Sequence, residues 1–202
     1  MSIQRLIATT LTTIFLAASG ASAGAAPLLQ YASSVKDVSS EYGSGVNSWA
    51  ASQALGAPNT FGYGDIGTSW APRPRDGTLE YISVGFDTAV YATGATIRET
   101  WGNGFVYRVD AIDTSGMYHL VWSGTDTSPA GAAYDFALSW DTTAFLVNGL
   151  KVYVNTSLSG DWEEIDSIQL AGVAPAQVPE PASLALIGAG LALCGAVRRR
   201  RA

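Results

Sequence analysis

The chain has 202 residues, with 11 Lys and Arg, 17 Asp and Glu and one Cys, and its formal net charge is −6 at pH 7. This acidic balance disfavours binding to nucleic acid or to anionic membranes, because both select basic patches. The single cysteine, Cys194, excludes an internal disulfide, so the stability of the folded part must come from packing.

The N-terminal residues have the three parts of a secretory signal peptide. Arg5 supplies the positive region, residues 6–18 are apolar, and Ala21, Ser22 and Ala23 fit a small-residue cleavage site. We therefore predict a helical signal peptide over residues 1–23, cut after Ala23. An uncleaved anchor or a buried helix is the alternative.

Residues 32–71 are rich in glycine and serine and have weak strand signals. Flexible linkers lack large aromatics, so Trp49, Phe61, Tyr63 and Trp70 in this segment argue for packing. We therefore predict a long ordered loop system at one end of the fold. A short helix is predicted near residues 48–55, with Ser48 as its cap and Gly56 at its end.

The rest of the core has the pattern of β-strands. Residues 79–86 alternate between apolar and polar side chains, as a half-buried strand does. Similar segments, rich in β-branched and aromatic residues, are 93–101, 106–112, 118–122, 136–140, 145–154 and 165–170. Turn signals at 101–104, 113–116 and 148–149 separate them, which predicts an all-β, antiparallel sandwich or jelly roll.

Four segments in this order carry a resemblance: YASSVKDVSSEYG from Tyr31, SQALGAPN from Ser52, residues 80–116, and DWEEIDSIQLAGV from Asp161. Together they resemble a galactose-binding-like, discoidin-type jelly roll. The resemblance implies an eight-stranded β-sandwich. It also implies that loops at one end bind carbohydrate or another ligand, and that a structural calcium lies beside those loops in many relatives.

Catalytic candidates are few. His119 is the only histidine and has no partner motif for a triad, so we interpret it as a surface or edge-strand residue. Glu164 and Asp166 share one face of a predicted strand, while Glu163 shares the other face with Ile165. This arrangement favours a solvated edge or a cation site over a catalytic pair, and we predict that the protein is not an enzyme. A glycoside hydrolase or lyase remains an alternative, which would require two carboxylates facing each other across a cleft.

The resemblance also implies a calcium site. In discoidin-like sandwiches a glutamate on the last strand and carbonyls of an early loop share the ion, and Glu164 matches that glutamate. The early loop corresponds to residues 54–60, where Asn59 replaces part of the usual Asp-Gly-Asp, and Asp37 is a possible second carboxylate. We therefore expect that Ca²⁺, if bound, is held by Glu164, Asp37 and Asn59. The alternative is that Glu164 caps or pairs with the N-terminal segment.

Sugars are gripped by ring stacking and a few directed polar groups. The residues of these types in or beside predicted loops are Trp70, Arg73, Arg75, Trp101, Asn103 and Trp162. We predict that they form the ligand site. Trp122 and Trp140 lie in predicted strands and are expected in the core.

The C-terminus has three ordered elements. Val178, Pro179, Glu180 and Pro181 are followed by 16 uncharged residues, 182–197, and then by Arg198, Arg199, Arg200 and Arg201. A helix of that length spans roughly 24 Å, short of the ~30 Å hydrocarbon core, so we predict a marginal transmembrane helix. The arginine cluster would stay on the cytoplasmic side. A buried C-terminal helix is the alternative.

This tail resembles a PEP-CTERM sorting signal. The resemblance implies export across the inner membrane of a Gram-negative bacterium and recognition by an exosortase, a membrane protease that cuts near Pro-Glu-Pro. The anchor would thus be temporary, and the domain would pass to the cell surface or the matrix. Such proteins commonly accompany exopolysaccharide production.

The predicted organisation is a signal peptide at 1–23, a β-sandwich at 24–177 and a sorting signal at 178–202. Removing Arg5, Arg198–Arg201 and Glu180 leaves 6 basic and 16 acidic residues, so the sandwich carries a net charge of −10. The predicted function is non-catalytic binding of a secreted polysaccharide in a biofilm setting. A structural matrix protein with no specific ligand is the first alternative; exposed loop tryptophans would favour binding, and buried ones the structural role.

Overall fold

The computed structural model describes residues 27–175, which form a single antiparallel assembly of eight strands. The strands are β1 (Pro27–Tyr31), β2 (Ser34–Val38), β3 (Leu79–Trp101), β4 (Val106–Asp113), β5 (Tyr118–Ser123), β6 (Tyr134–Ser139), β7 (Leu146–Asn155) and β8 (Glu164–Val173). One 3-10 turn, Ala51–Ala54, lies in the long connection between β2 and β3. The predicted all-β antiparallel class is confirmed.

The 23-residue strand β3 is the spine of the fold. Its first half pairs with β2 and β7, and its second half pairs with β6 and β8. The chain of neighbours runs β1-β8-β3-β7-β4-β5. Because β3 has different partners in its two halves, it belongs to both layers of the sandwich and joins them.

Alternating residues of both layers fill the core between them. Ile82 and Val84 from the first half of β3 are fully buried, as is Ile97 from its second half. Leu150, Val152 and Val154 contribute from β7, and Ile165, Ile168 and Leu170 from β8. On β3 and β7 this is the period-two burial that a half-buried strand requires, whereas β8 has a step of three residues where its register with β3 is irregular.

The structure differs from the sequence prediction in three respects. The predicted strands 79–86 and 93–101 are one continuous strand, β3. Strands β1 and β2 were not predicted. The predicted helix near Ser48 is a four-residue 3-10 turn that follows Ala50 and has no side-chain cap, so Ser48 is not its cap; Gly56 does end the turn, with φ of +84°.

The predicted signal peptide, membrane helix and sorting signal, and Cys194, lie outside the described residues. Within residues 27–175, no helix has the length and apolar character needed to cross a membrane.

Candidate functional site: an aromatic cleft at the loop end

Three aromatic rings form the walls of a small cleft where β3 ends and β8 begins. The ring of Tyr42 stands edge-on to both Trp49 and Trp162, with centroids 5.6 Å apart and interplanar angles of 78° in each pair. Asp65 and Ala71 complete the lining, and the cleft has a volume of about 90 Å³. We call these five residues the aromatic cleft.

Trp49 is held in an unusual backbone conformation. Its φ is +58°, and it is the one non-glycine residue with positive φ in the described part of the chain. Bulky side chains avoid this region, so tertiary contacts must hold it there. The Trp49 N–H donates to the Gly67 carbonyl, and the Trp49 carbonyl accepts from the Ala71 N–H. Strained residues of this kind cluster at binding sites, which makes Trp49 a candidate contact residue.

A buried carboxylate lies under the cleft. Glu164, the first residue of β8, is fully buried. Its Oε1 accepts a hydrogen bond from Trp49 Nε1 at 3.1 Å, and its Oε2 accepts one from the Ile66 N–H at 3.2 Å. Burial, with a smaller contribution from the nearby Asp65 carboxylate, raises the pKa of Glu164 to about 8, although the hydrogen bond from the Ile66 N–H opposes the shift. Glu164 therefore orients the Trp49 indole from below.

One arginine lies at the rim of the cleft. The Cζ atom of Arg75 is 5.5 Å from the Trp162 ring centroid, and its Nε is 3.4 Å from an oxygen of Asp161. Arg75 also donates to the Gly160 carbonyl. The face of Trp162 thus already attracts a cation, as electron-rich rings do.

The predicted ligand residues divide into two groups. Arg75 and Trp162 lie at the aromatic cleft. The prediction for Trp70 is wrong: its side chain is fully buried, its Nε1 donates to the Ser40 carbonyl, and it can contact no ligand. Trp70 belongs to the core cluster, because its backbone forms bridges with Trp49 and with Ile165 on β8.

The other three predicted residues do not line the cleft. Trp101 packs against Tyr63, with the ring centroids 4.8 Å apart. The side-chain amide of Asn103 donates to the carbonyls of Pro129 and Ala132, so Asn103 links the loop after β3 to the loop before β6. Arg73 is exposed, and its backbone N–H donates to Ser40 Oγ. We expect Asn103 to act structurally, since its donors are used.

The residues proposed for calcium are not brought together. Glu164 is bound by Trp49 and Ile66, whereas Asp37 accepts from the hydroxyl of Tyr81 on another part of the sheet. The backbone N–H of Asn59 points at Asp166, together with that of Thr60. Calcium needs oxygen ligands, and this loop offers donors instead, so the residues do not fit the predicted site.

No cluster of three or more His, Cys, Asp and Glu side chains suited to a metal occurs within residues 27–175. The alternative considered for Glu164 is closer to the structure, because that carboxylate accepts hydrogen bonds from the loop that follows β2. Calcium binding itself stays a prediction that no observation tests.

Two further carboxylates are buried beside the loops. Glu99 is fully buried, and its Oε2 accepts from the Gly104 N–H at 2.9 Å. Burial and the neighbouring Asp126 raise the pKa of Glu99 to about 10. Glu163 is also fully buried and faces away from Glu164, accepting from Ser159; burial raises its pKa to about 8. Neither residue lines the cleft.

His119 lies on β5, which is the edge strand at one end of the strand order. The prediction that His119 is an edge-strand residue is confirmed. Its Nε2 is 2.7 Å from an oxygen of Asp113, and its ring stacks on Phe145 at 4.0 Å. It lines an open depression with Trp140 and Asp141. Trp140, like Trp122, packs against the core, as expected.

Sequence reasoning missed Tyr42, Trp49 and Asp65. Trp49 was noted only as a packing residue, and the signal that could have identified it, a positive φ, is not visible in the sequence. The prediction that all four loop aromatics pack is wrong for Phe61, which is 78% exposed.

This geometry defines a class: a β-sandwich whose loops form a small aromatic cleft at one end of the sheet. Residues 21–179 match the family described as "Pappalysin-1, SD scarf domain, C-terminal", and the chain belongs to that family. Residues 177–201 match the PEP-CTERM protein-sorting motif, so the chain carries this motif at its C-terminus.

Solved structures share the fold. The family 32 carbohydrate-binding module of C. perfringens NanJ, solved in complex with galactose, has a TM-score of 0.52 and 19% identity, covering 71% of this chain and 99% of that chain. XRCC1, solved bound to the catalytic domain of DNA polymerase beta, has a TM-score of 0.51 and 11% identity, covering 71% and 97%. One structure is a sugar complex and the other a protein complex, so the fold alone does not name the ligand.

A curated relative is the F-box/LRR-repeat protein 4 of Bos taurus, which is 28% identical over 180 residues. The match covers 73% of this chain, and the chain spans 29% of the length of that relative.

Proposed function

We propose that the domain binds carbohydrate in the aromatic cleft without catalysing a reaction. The observation that carries the proposal is the set of three rings, Tyr42, Trp49 and Trp162, gathered from loops more than 100 positions apart in the sequence. Aromatic faces beside a few polar groups are the usual means of gripping a sugar. The shared fold with a galactose-binding module supports this reading.

The carboxylates of the cleft argue against glycoside hydrolysis. Glu164 is fully buried, and its two oxygens already accept hydrogen bonds from Trp49 and the Ile66 N–H. A glycosidase needs two carboxyl groups that face each other across the scissile bond. Glu164 is not free to face a substrate in this way.

The PEP-CTERM motif supports a proposal about where the protein is delivered. We infer that the chain is exported, processed by an exosortase near Pro179-Glu180-Pro181, and released to the cell surface or to an extracellular polysaccharide. Detection of a shortened protein outside the producing cells, and its loss when Glu180 is replaced, would support this route. Full-length protein retained in the membrane fraction of wild-type cells would contradict it.

The binding proposal is tested by co-sedimentation with the producing cell's own exopolysaccharide, followed by titration of intrinsic tryptophan fluorescence. Tyr42→Ala should weaken binding at least tenfold, because the ring that forms one wall of the cleft and packs against both tryptophans is lost. The matched control is Tyr118→Ala on β5, since Tyr42 and Tyr118 are 53% and 51% exposed. Binding that is lost equally in both variants, or in neither, would move the site away from the cleft.

If wild-type protein binds no polysaccharide or oligosaccharide at millimolar sugar, the alternative of a structural matrix protein is the better description. The exposed ring of Tyr42 favours binding over that alternative, because a purely structural tyrosine would more often be covered.

A further inference from the structure

The aromatic cleft is too small for a sugar ring. An engineered apolar cavity of about 150 Å³ holds one benzene molecule. The cleft has about 90 Å³, and a pyranose ring with its hydroxyls is larger than benzene. What enters the cleft is therefore a single substituent of a ligand whose ring stays at the rim.

The walls and floor of the cleft select the charge of that substituent. Three electron-rich rings surround the space, and Tyr42 meets both tryptophans edge-on, so the walls form a box rather than a flat platform. Rings arranged in this way attract organic cations through their negative faces. The Arg75 guanidinium over Trp162 is an example from the chain itself.

The Asp65 carboxylate acts in the same direction, because it lines the cleft and is exposed. Glu164 lies below Trp49 and accepts the hydrogen bond of its indole, so it positions a wall of the cleft rather than adding charge. Arg75, the cation at the rim, is already paired with Asp161. A carboxylate or sulfate substituent would meet the Asp65 carboxylate and the ring faces, whereas an ammonium would meet complementary charge.

We propose that the aromatic cleft receives a protonated amino group, so that the preferred ligand is a polysaccharide of amino sugars with free amines. This inference rests on the proposed function, because it names the ligand class for the same site. Neutral N-acetylated sugars and uronic acids are the disfavoured classes.

The test compares three hexamers with the same β-1,4 backbone: glucosamine, N-acetylglucosamine and glucose. Binding is measured by titration calorimetry on the full chain in a polyoxyethylene detergent, which carries neither sugar nor cation. We expect the glucosamine hexamer to bind at least tenfold more tightly than the other two. Equal binding of all three would overturn the inference and leave the proposed function standing; no binding of any sugar would count against both.

A second probe removes the dependence on sugar linkage. Choline and its neutral isostere 3,3-dimethylbutan-1-ol have the same shape and differ in charge. Choline should quench tryptophan fluorescence saturably and the alcohol should not. A response to choline without a response to the glucosamine hexamer would assign the cleft to a quaternary ammonium headgroup and overturn the amino-sugar assignment.

Variants separate charge from shape. Asp65→Asn keeps the size of the side chain and should weaken binding of the glucosamine hexamer at least tenfold. The matched control, Asp141→Asn, removes the same charge from an exposed residue far from the cleft. Asp141 follows Trp140, whose backbone N–H donates to the Thr93 carbonyl, eight residues before the end of β3. Equal losses in the two variants would reduce the effect to net charge and overturn the specific role of the cleft.

Discussion

Replacement of Glu99 by glutamine is expected to stabilise the protein at neutral pH. Glu99 is fully buried, and burial together with Asp126 raises its pKa to about 10. At pH 7 the side chain is therefore protonated in the folded state and ionised in the unfolded state. Glutamine can still accept the hydrogen bond from the Gly104 N–H and has no charge to lose on burial.

The size of the effect follows from the pKa shift. One pKa unit corresponds to about 1.4 kcal/mol, and the unfolded value is 4.5, so protonation at pH 7 costs about 3 kcal/mol. Glu99→Gln removes this cost. For a domain of this size the gain corresponds to a rise in Tm of roughly 6–12 °C at pH 7. At pH 4 the acid is protonated in both states, and the gain should vanish.

The assay is urea unfolding followed by tryptophan fluorescence between pH 4 and pH 9, with Asp141→Asn as the exposed control. The difference between Glu99→Gln and wild type should grow with pH, while the control stays within about 0.5 kcal/mol of wild type. A difference from wild type that is the same at pH 4 and pH 8 would refute the reasoning, because it would mean that folding does not change the pKa of Glu99.

Three further predictions follow from other buried groups. The stability of the wild-type protein, measured by thermal unfolding, should fall as the pH rises from about 5 to about 8. The pKa of Glu163 and of Glu164 is raised to about 8, so the folded state binds more protons than the unfolded state over this range. A rise in stability between pH 5 and pH 8 would contradict these shifts. Trp70→Ala should cost about 3–5 kcal/mol in urea unfolding, because its indole is fully buried, and a cost below about 1 kcal/mol would show that the loop does not need it. Gly94→Ala should also destabilise, by about 1–3 kcal/mol, since a Cβ there would lie 2.4 Å from the Leu138 carbonyl oxygen; an unchanged Tm would mean that the two strands move apart freely.

Local sequence predicted the strands because alternation of apolar and polar residues is a local property. The single strand β3 was divided in two because Gly85 and Asp87 have the composition of a turn. The structure keeps the strand extended through distant contacts, as Gln30 exchanges hydrogen bonds with the backbone of Thr88 and Ser33 donates to Asp87 at 2.6 Å. Such contacts across more than 50 positions leave no signal in a short window of sequence.

The cleft was beyond prediction for a related reason. Tyr42 and Trp162 are 120 positions apart, and they meet because β8 pairs with β3 and brings its first residues beside the early loop. The sequence did identify Trp162 and Arg75 as residues of a suitable type in loops. It could not distinguish them from Trp70, because the burial of a loop tryptophan depends on where the loop folds back.

The direction of β8 also fixes how the domain is presented. Its first residue, Glu164, lies under the cleft, and Val173 is nine steps further on, about 30 Å away along an extended strand. Pro27 lies directly opposite Val173, so the chain enters and leaves the described domain at the end remote from the cleft. If the protein is attached through the segment that follows β8, the attachment point lies at the end of the domain opposite the aromatic cleft, and the cleft faces away from it. Under the proposed function, attachment through this segment and binding of a ligand would therefore use different surfaces of the domain.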